Sequence, residues 1–310
     1  MTRVGGLAAA AALCAAAVAG CGLGPGSDDG EVALTVTRDY GTELLERATE
    51  SITESDTVLR LLDRNAEVET RYGGGFIQSI DGIAGGENDG RRTDWFFYVN
   101  GVESSVGSAE YDPSDGDRIW WDHHDWTSAM RVPAVVGSWP EPFVHGFEGQ
   151  RWKVDVSCKT VLEVCEIVEE RLRGAGAEPS EVSPEEAIRV EVGSWEEIRT
   201  EEDVRPLAGP PSESGVFATF TDERRPLLTL LNDRGEPAGS LGRGAGLIAA
   251  LRPGDGPPTW VITGTDQAGV EAAAGLLGDD LRDRFAVATY GAGCKGVRRG
   301  DPCHLGVPVR

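Results

Sequence analysis

The sequence predicts an α+β fold in which a sheet-rich N-terminal part precedes a second part of alternating strands and helices. Three observations predict it. Apolar and polar residues alternate with a period of two in several segments before Trp126, which is typical of half-buried strands. The pair Asn100-Gly101 separates two such segments and indicates a tight hairpin, because both central residues of a type I′ turn need a positive φ. From Arg151 onward, strand patterns alternate with helical patterns.

The N-terminus has the layout of a secretory signal sequence. Arg3 precedes an alanine-rich apolar run that is too short for a comfortable membrane-spanning helix. The run ends in Val18-Ala19-Gly20-Cys21, which resembles the lipobox of bacterial lipoproteins, where the cysteine thiol takes a diacylglyceryl group. We therefore expect residues 1–21 to be a lipoprotein signal with Cys21 as the lipidation site, and residues 22–30 to be a flexible tether. The expected location is extracytoplasmic and lipid-anchored to the cell membrane; an ordinary signal peptide is the alternative.

The charge balance restricts the partners. The chain has 52 acidic and 29 basic residues, which gives a net charge of −23. So acidic a protein repels phosphate backbones, and nucleic acid is therefore not an expected partner.

Four cysteines remain after the signal and Cys21, namely Cys158, Cys165, Cys294 and Cys303. An even number outside the cytoplasm predicts two disulfides, with three possible connectivities. The local pairs Cys158–Cys165 and Cys294–Cys303 are favoured, and the first of them requires Cys158 to precede the helix that carries Cys165. The spacings match no usual zinc site, so no metal is expected.

The first part is predicted to run strand, strand, helix, strand, hairpin, strand. The segments are Glu31–Arg38, Glu43–Ile52, Thr57–Asn65, Phe76–Ile83, Asp94–Val99 with Val102–Val106, and Arg118–Trp126. Glu43–Ile52 can also be read as a short helix, and Ser55 or Asp56 is the expected cap of the helix that follows. This order is that of a β-grasp domain, which we place at residues 31–127.

Five short motifs in this part resemble the DUF4430 family. They are Thr57-Val58-Leu59, Phe76–Gly82, Trp95–Val102, Val106-Gly107 and Gly116–Trp121. That family is similar to the C-terminal β-grasp domain of transcobalamin and intrinsic factor. The resemblance implies a cobalamin-like ligand, whereas the chain itself carries no cofactor motif. The carriers clamp cobalamin against a helical barrel, and no such barrel follows in this sequence.

Residues 128–150 contain three prolines and read as a linker, but their aromatic residues predict that the linker packs on the first domain or at the domain interface. Residues 151–310 are predicted to be an α/β domain with a mixed sheet. In its first helix, Thr160–Arg173, the residues expected to face inward are Val161, Cys165, Val168 and Leu172. Ser194 and Asp266 are expected to cap later helices.

The candidate ligand-binding residues are aromatic. Trp120 and Trp121 are adjacent in one strand and therefore point to opposite faces of the sheet. Exposed aromatic rings suit flat ligands and sugars, whereas buried ones would form the core or a domain interface. Both alternatives stay open for the five candidates, Tyr98, Trp120, Trp121, Trp126 and Trp139. A ligand site is expected where the Trp-rich strand, the Asn-Gly hairpin and the linker converge.

No catalytic residues are predicted. Asp122-His123-His124-Asp125 places two metal donors on each face of a strand, which is too few for a metal site. The glycine-rich segment 239–246 lacks the Gly-Lys-Ser/Thr ending of a phosphate-binding loop. The sequence also contains no nucleophile elbow. The predicted function is a non-catalytic extracytoplasmic binding module for a small molecule. A cell-envelope adaptor that binds a protein or wall component is the alternative, and an unrecognised hydrolase is third.

Overall fold

The computed structural model describes residues 28–71, 75–180, 182–183, 186–221, 224–290 and 304–309. Several predictions fall outside these residues: the signal sequence, the lipidation of Cys21, and the Cys294–Cys303 pair. The first strand starts at Asp28 and so includes the last residues of the predicted tether.

The chain folds into mixed sheets with few helices. The strands are β1 (Asp28–Arg38), β2 (Glu43–Thr53), β3 (Val68–Arg71), β4 (Phe76–Ile80), β5 (Ile83–Ala84), β6 (Gly86–Asn88), β7 (Arg91–Val99), β8 (Val102–Glu103), β9 (Arg118–Asp125), β10 (Lys153–Cys158), β11 (Ala187–Ser194), β12 (Ala218–Phe220), β13 (Leu228–Leu231), β14 (Pro237–Leu241), β15 (Gly246–Leu251), β16 (Thr259–Gly264), β17 (Ala286–Thr289) and β18 (His304–Val307). The α-helices are α1 (Val58–Asn65), α2 (Leu162–Gly174), α3 (Trp195–Ile198), α4 (Pro211–Ser214) and α5 (Gln267–Gly275), with 3₁₀ turns at Arg205–Ala208 and Asp279–Leu281.

The first sheet has the order β2-β1-β9-β7-β6, and β8 pairs with β7. Its two central strands, β1 and β9, are parallel, while the other pairs are antiparallel. Helix α1 packs on one face through Val58, Leu61 and Leu62, all fully buried. These three residues recur at helical spacing, so one stripe of a short helix fills this core.

Local signals explain most of the first part. Asn100 and Gly101 have φ values of 54° and 78°, as the predicted turn requires. Residues Glu43–Thr53 form a strand and not a helix. The predicted caps Ser55 and Asp56 are wrong, because the helix is capped by Thr57, whose hydroxyl accepts from Arg60 N at 3.3 Å. Strand β8 also stops at Glu103, three residues earlier than predicted.

The second sheet has the order β10-β11-β16-β15-β17-β18. Strands β10, β11 and β16 are parallel, and the other three are antiparallel to their neighbours. Helices α2 and α5 cover one face, where Val168, Leu172 and Val270 are fully buried. Asp266 caps α5 by accepting from Gly269 N at 3.1 Å, and Ser194 forms a capping box with Glu197, as predicted.

The second part departs from the predictions where strands have weak local signals. Strands β14 and β18 were not predicted, and the helix that Ser194 caps, α3, is a single turn that ends at Ile198. Val161 precedes α2 and is 44% exposed, so it does not face inward as predicted.

The disulfide Cys158–Cys165 is confirmed, with its Cα atoms 5.9 Å apart. Cys158 is the last residue of β10 and Cys165 lies one turn into α2, the arrangement that the pairing required.

Residues 128–150 pack between the two six-stranded sheets. Val135 N donates to Gly101 O at 2.8 Å, and Val136 N donates to Phe285 O at 3.2 Å, so this connecting segment binds both parts of the chain. The face of the first sheet that points away from α1 and the face of the second sheet that points away from α2 and α5 share one apolar cluster. It includes Tyr40, Tyr98, Trp120, Val135, Phe217, Leu247 and Phe285.

Candidate functional site

Strand β9 supplies side chains to two separate cores. Ile119 and Trp121 face α1, and Trp121 stacks on Phe97 with ring centroids 4.9 Å apart. Trp120 faces the shared cluster and meets Phe285 edge-on at 5.2 Å. The predicted alternation of Trp120 and Trp121 is therefore present, and both faces of the strand are covered.

A buried polar network lies beside Trp120 on the covered face. Trp120 Nε1 donates to Thr37 Oγ1 at 2.7 Å, and Thr37 Oγ1 donates to Asp122 Oδ2 at 2.5 Å. Asp122 also accepts from the backbone N–H groups of Tyr40 and Gly41, at 3.0 and 2.8 Å. His124 Nδ1 lies 2.8 Å from Asp122 Oδ1. The fully buried carboxylate thus has several partners, which is what burial of a charge demands.

Aromatic rings enclose His124. Tyr40 stacks on one side at 4.6 Å and Phe96 on the other at 4.4 Å, while Phe285 meets the ring edge-on at 5.4 Å. His124 is only 2% exposed. Asp122 and His124 therefore serve the packing between the two sheets, and no group of metal ligands occurs among the described residues.

Burial is the main cause of the pKa shifts of the titratable side chains on this face. It raises the pKa of the Tyr98 hydroxyl well above its usual value, and it raises the pKa of Tyr40 in the same way. Burial also raises the pKa of Glu103, against the opposing effect of Arg131. The two tyrosines therefore stay neutral at any physiological pH.

The five candidate aromatics divide by exposure. Tyr98, Trp120 and Trp121 are 0%, 3% and 2% exposed and match the alternative of core or interface. The edge of Trp120 also borders a small cleft between the sheets. Trp126 and Trp139 are half-buried. The guanidinium of Arg92 lies 4.0 Å above the Trp126 ring.

Trp139 borders a large open cleft where the connecting segment meets α2 and α5. The cleft has a volume of about 760 Å³. Apolar residues Ile167 and Leu277 line it together with Glu170 and Arg171 from the exposed side of α2. Trp139 is held from behind by Phe143 and Trp260, at centroid distances of 5.7 and 6.0 Å. This combination of a fixed aromatic ring, aliphatic walls and a few charged groups is typical of small-molecule sites.

Sequence reasoning missed the aliphatic walls of this cleft, which we call the Trp139 cleft. Ile167 is 39% exposed and lies off the buried stripe of α2 formed by Val164, Cys165, Val168 and Leu172. An apolar residue outside the stripe of an amphipathic helix was the available signal.

The fold and this cleft define the chain as a sheet-rich α and β protein with an open cleft between the connecting segment and its second part. Residues 55–125 match the family model described as "Domain of unknown function (DUF4430)", which confirms the predicted resemblance of this segment. No curated protein matches the chain in sequence.

Two solved structures are similar to about a third of this chain. Haptocorrin in complex with Cbi is 16% identical, with a TM-score of 0.26, over 32% of this chain and 26% of that one. A protein from Ruminococcus gnavus ATCC 29149, called a candidate metal binding protein, is 15% identical, with a TM-score of 0.24, over 31% of this chain and 97% of that one. This chain thus spans about a quarter of the length of haptocorrin.

The structure contains no helix, among its described residues, that is long and apolar enough to cross a membrane.

Proposed function

We propose that this protein is a lipid-anchored, extracytoplasmic binding module that captures a small molecule in the Trp139 cleft. The single observation that carries the proposal is the cleft itself, which lies at the convergence of the connecting segment and the second part. Its volume of about 760 Å³ is within the range of roughly 300–1,000 Å³ that is usual for ligand pockets.

The architecture that supports this proposal has two domains. Residues 31–127 form a β-grasp domain, for which the parallel central strands β1 and β9 and the helix on one face are the supporting features. Residues 151–310 form the α/β domain, and residues 128–150 join them. Since both domains hold the connecting segment, Trp139 already has a fixed position before a ligand binds. Binding therefore costs little free energy for ordering this side chain.

The ligand is a compound with an apolar, flat portion. The Trp139 ring offers a stacking surface, Ile167 and Leu277 offer aliphatic contacts, and Arg171 and Glu170 offer polar contacts at the rim. A corrinoid meets this description and is the class implied by the family resemblance. No catalytic step is part of the proposal.

A thermal-shift screen of corrinoids, sugars and peptides against residues 22–310 tests the site, because a ligand that binds the native state raises the melting temperature. Trp139→Ala and Ile167→Ser should remove the shift given by any hit. Trp126→Ala is the matched control, since that tryptophan is also half-buried but lies outside the cleft. A hit that keeps its full shift in both cleft variants, or a screen without any hit, would refute the small-molecule site.

The anchor has a separate test. Cys21→Ser in the full chain should abolish lipid labelling and release the protein from membranes, because the acyl chains provide the attachment. Unchanged membrane attachment in that variant would contradict the lipobox.

A further inference from the structure

A second, smaller cleft lies between the two sheets and carries a concentration of arginines. Its volume is about 180 Å³, and Arg47, Arg118 and Arg282 line it. The chain as a whole has a net charge of −23, so three arginines around one small space run against its average composition. We propose that this arginine cleft binds a small oxyanion, either a carboxylate or a phosphate group, at a site separate from the Trp139 cleft.

Strand register explains why a space exists here. In the first sheet, Thr49, Ala33 and Arg118 lie side by side on β2, β1 and β9. Two residues along, Arg47, Thr35 and Trp120 form the next row on the same face. The middle strand thus carries only the small side chains of Ala33 and Thr35, while a long arginine rises from the strand on each side.

The other walls come from the rest of the chain. Gly137 and Ser138 of the connecting segment close one side, and Arg282 and Asp283 close another. A Cβ on Gly137 would lie 2.7 Å from the Trp120 ring and 2.6 Å from Arg284 N. Only glycine therefore allows the connecting segment to approach the Trp120 ring and Arg284 this closely.

In the part of the chain that the structure describes, two of the three arginines already have an acidic partner, and the third does not. Arg47 forms an ion pair with Asp283, and Arg282 pairs with Asp279 at 3.1 Å. Among the described residues, Arg118 has no acidic partner, and the hydroxyls of Thr35 and Thr49 have no hydrogen-bond partner. A half-buried guanidinium and two hydroxyls that line the same cleft offer several donors, which suits an oxyanion.

Size selects the group that fits. A water molecule has a share of about 30 Å³ in the liquid, so the space admits a carboxylate or phosphate group with a few waters. It is smaller than the pockets of roughly 300–1,000 Å³ that hold drug-sized ligands. The cleft therefore accommodates an oxyanion group and not an entire large ligand.

The test titrates the purified mature protein with inorganic phosphate, and separately with succinate, by isothermal calorimetry at constant ionic strength set with sodium chloride. Constant ionic strength separates specific binding from screening. We expect saturable binding in at least one titration. Arg118→Gln should weaken it about tenfold or more, because a charge-assisted donor pair is lost. Arg118→Lys should recover only part of the affinity, since an ammonium lacks the planar fork.

Arg234→Gln is the matched control. It changes the net charge equally, and Arg234 is exposed and lies outside the cleft. Thr35→Val tests the cleft without any change of charge and should weaken binding severalfold.

Phosphate binding without succinate binding identifies a phosphate site, and the reverse identifies a carboxylate site. Absence of saturable binding to both probes, or equal affinity in the wild type and Arg118→Gln, would overturn the proposal. Trp139→Ala should leave oxyanion binding intact, so this outcome is independent of the small-molecule site.

Discussion

The two faces of the first sheet are built from the same strands yet are stabilised in different ways. The face toward α1 is apolar, with Val32, Leu34 and Val36 alternating along β1. The opposite face buries Thr37, Asp122 and His124 among aromatic rings. The first face is completed by residues of the first part alone, whereas the second is completed with residues from the rest of the chain, among them Phe217 and Phe285. Polar residues on a strand can therefore belong to an interface inside the protein as well as to a ligand site.

The largest expected effect comes from the polar face. Asp122→Ala should lower the free energy of unfolding by about 3–5 kcal/mol, because it leaves Thr37, His124 and two backbone N–H groups buried without their acceptor. Urea unfolding measures this loss. Asp122→Asn keeps the shape and some of the hydrogen bonds, so it should cost less. A loss below about 1 kcal/mol in the alanine variant would mean that the network contributes little to the interface.

The apolar face gives the next effect. Leu61→Ala should cost about 3 kcal/mol, since a fully buried leucine of α1 is truncated and a cavity remains. Leu59→Ala is the control in the same helix, because Leu59 is only partly buried and should cost clearly less. Hydrogen exchange should show faster opening of the first sheet in Leu61→Ala. Equally faster exchange in both six-stranded sheets would show that the two sheets open as one unit, so that the face toward α1 is not stabilised independently of the shared face.

The smallest effect concerns the ion pair at the edge of the interface. Arg91 binds Asp125 at 2.9 Å and also pairs with Asp233 of the β13–β14 turn. Burial alone would raise the pKa of Asp125, but hydrogen bonds from Thr127 and the charge of Arg91 outweigh burial and lower it below 3.8. The stability from this carboxylate is therefore present above pH 3.8 and is lost as the pH falls through the folded pKa.

Arg91→Gln should consequently reduce stability at pH 7 by about 1 kcal/mol or less, because the arginine is 39% exposed and solvent screens the pair. The difference from wild type should shrink as the pH is lowered toward about pH 3. Unfolding measured across this range checks both statements. Arg234→Gln, at a neighbouring exposed arginine, should change neither value. A deficit that grows as the pH falls would contradict the assigned protonation.

Sequence reasoning succeeded where the cause was local. The positive φ of Asn100 and Gly101, the cap at Asp266 and the alternation of Trp120 and Trp121 all follow from a few neighbouring residues. The Cys158–Cys165 pair is local in the same sense, since a strand end and the next helix turn bring the two together.

It failed where distant residues decide the outcome. Strand β14 contains Pro237 and Gly239, which are poor strand formers, and exists because β13 pairs with it. Likewise, nothing near Trp120 indicates that Phe285 will cover it, so burial of the ring could not be predicted. Both clefts arise between segments far apart in the chain, which is why their lining residues other than Trp120 and Trp139 were missed.

The parallel pairing of β1 with β9 also governs the order of assembly. Thr37 and Trp121, which meet across these two strands, are 84 residues apart in sequence. Until β9 is available, β1 can pair only with β2, and the other edge of β1 stays open to association with another chain. Contacts of such long range slow folding, because the entropy cost of closing the loop comes before the strand pairing stabilises the chain. The pace of folding should therefore be set by the pairing of residues 118–125, and chains that end before them should aggregate.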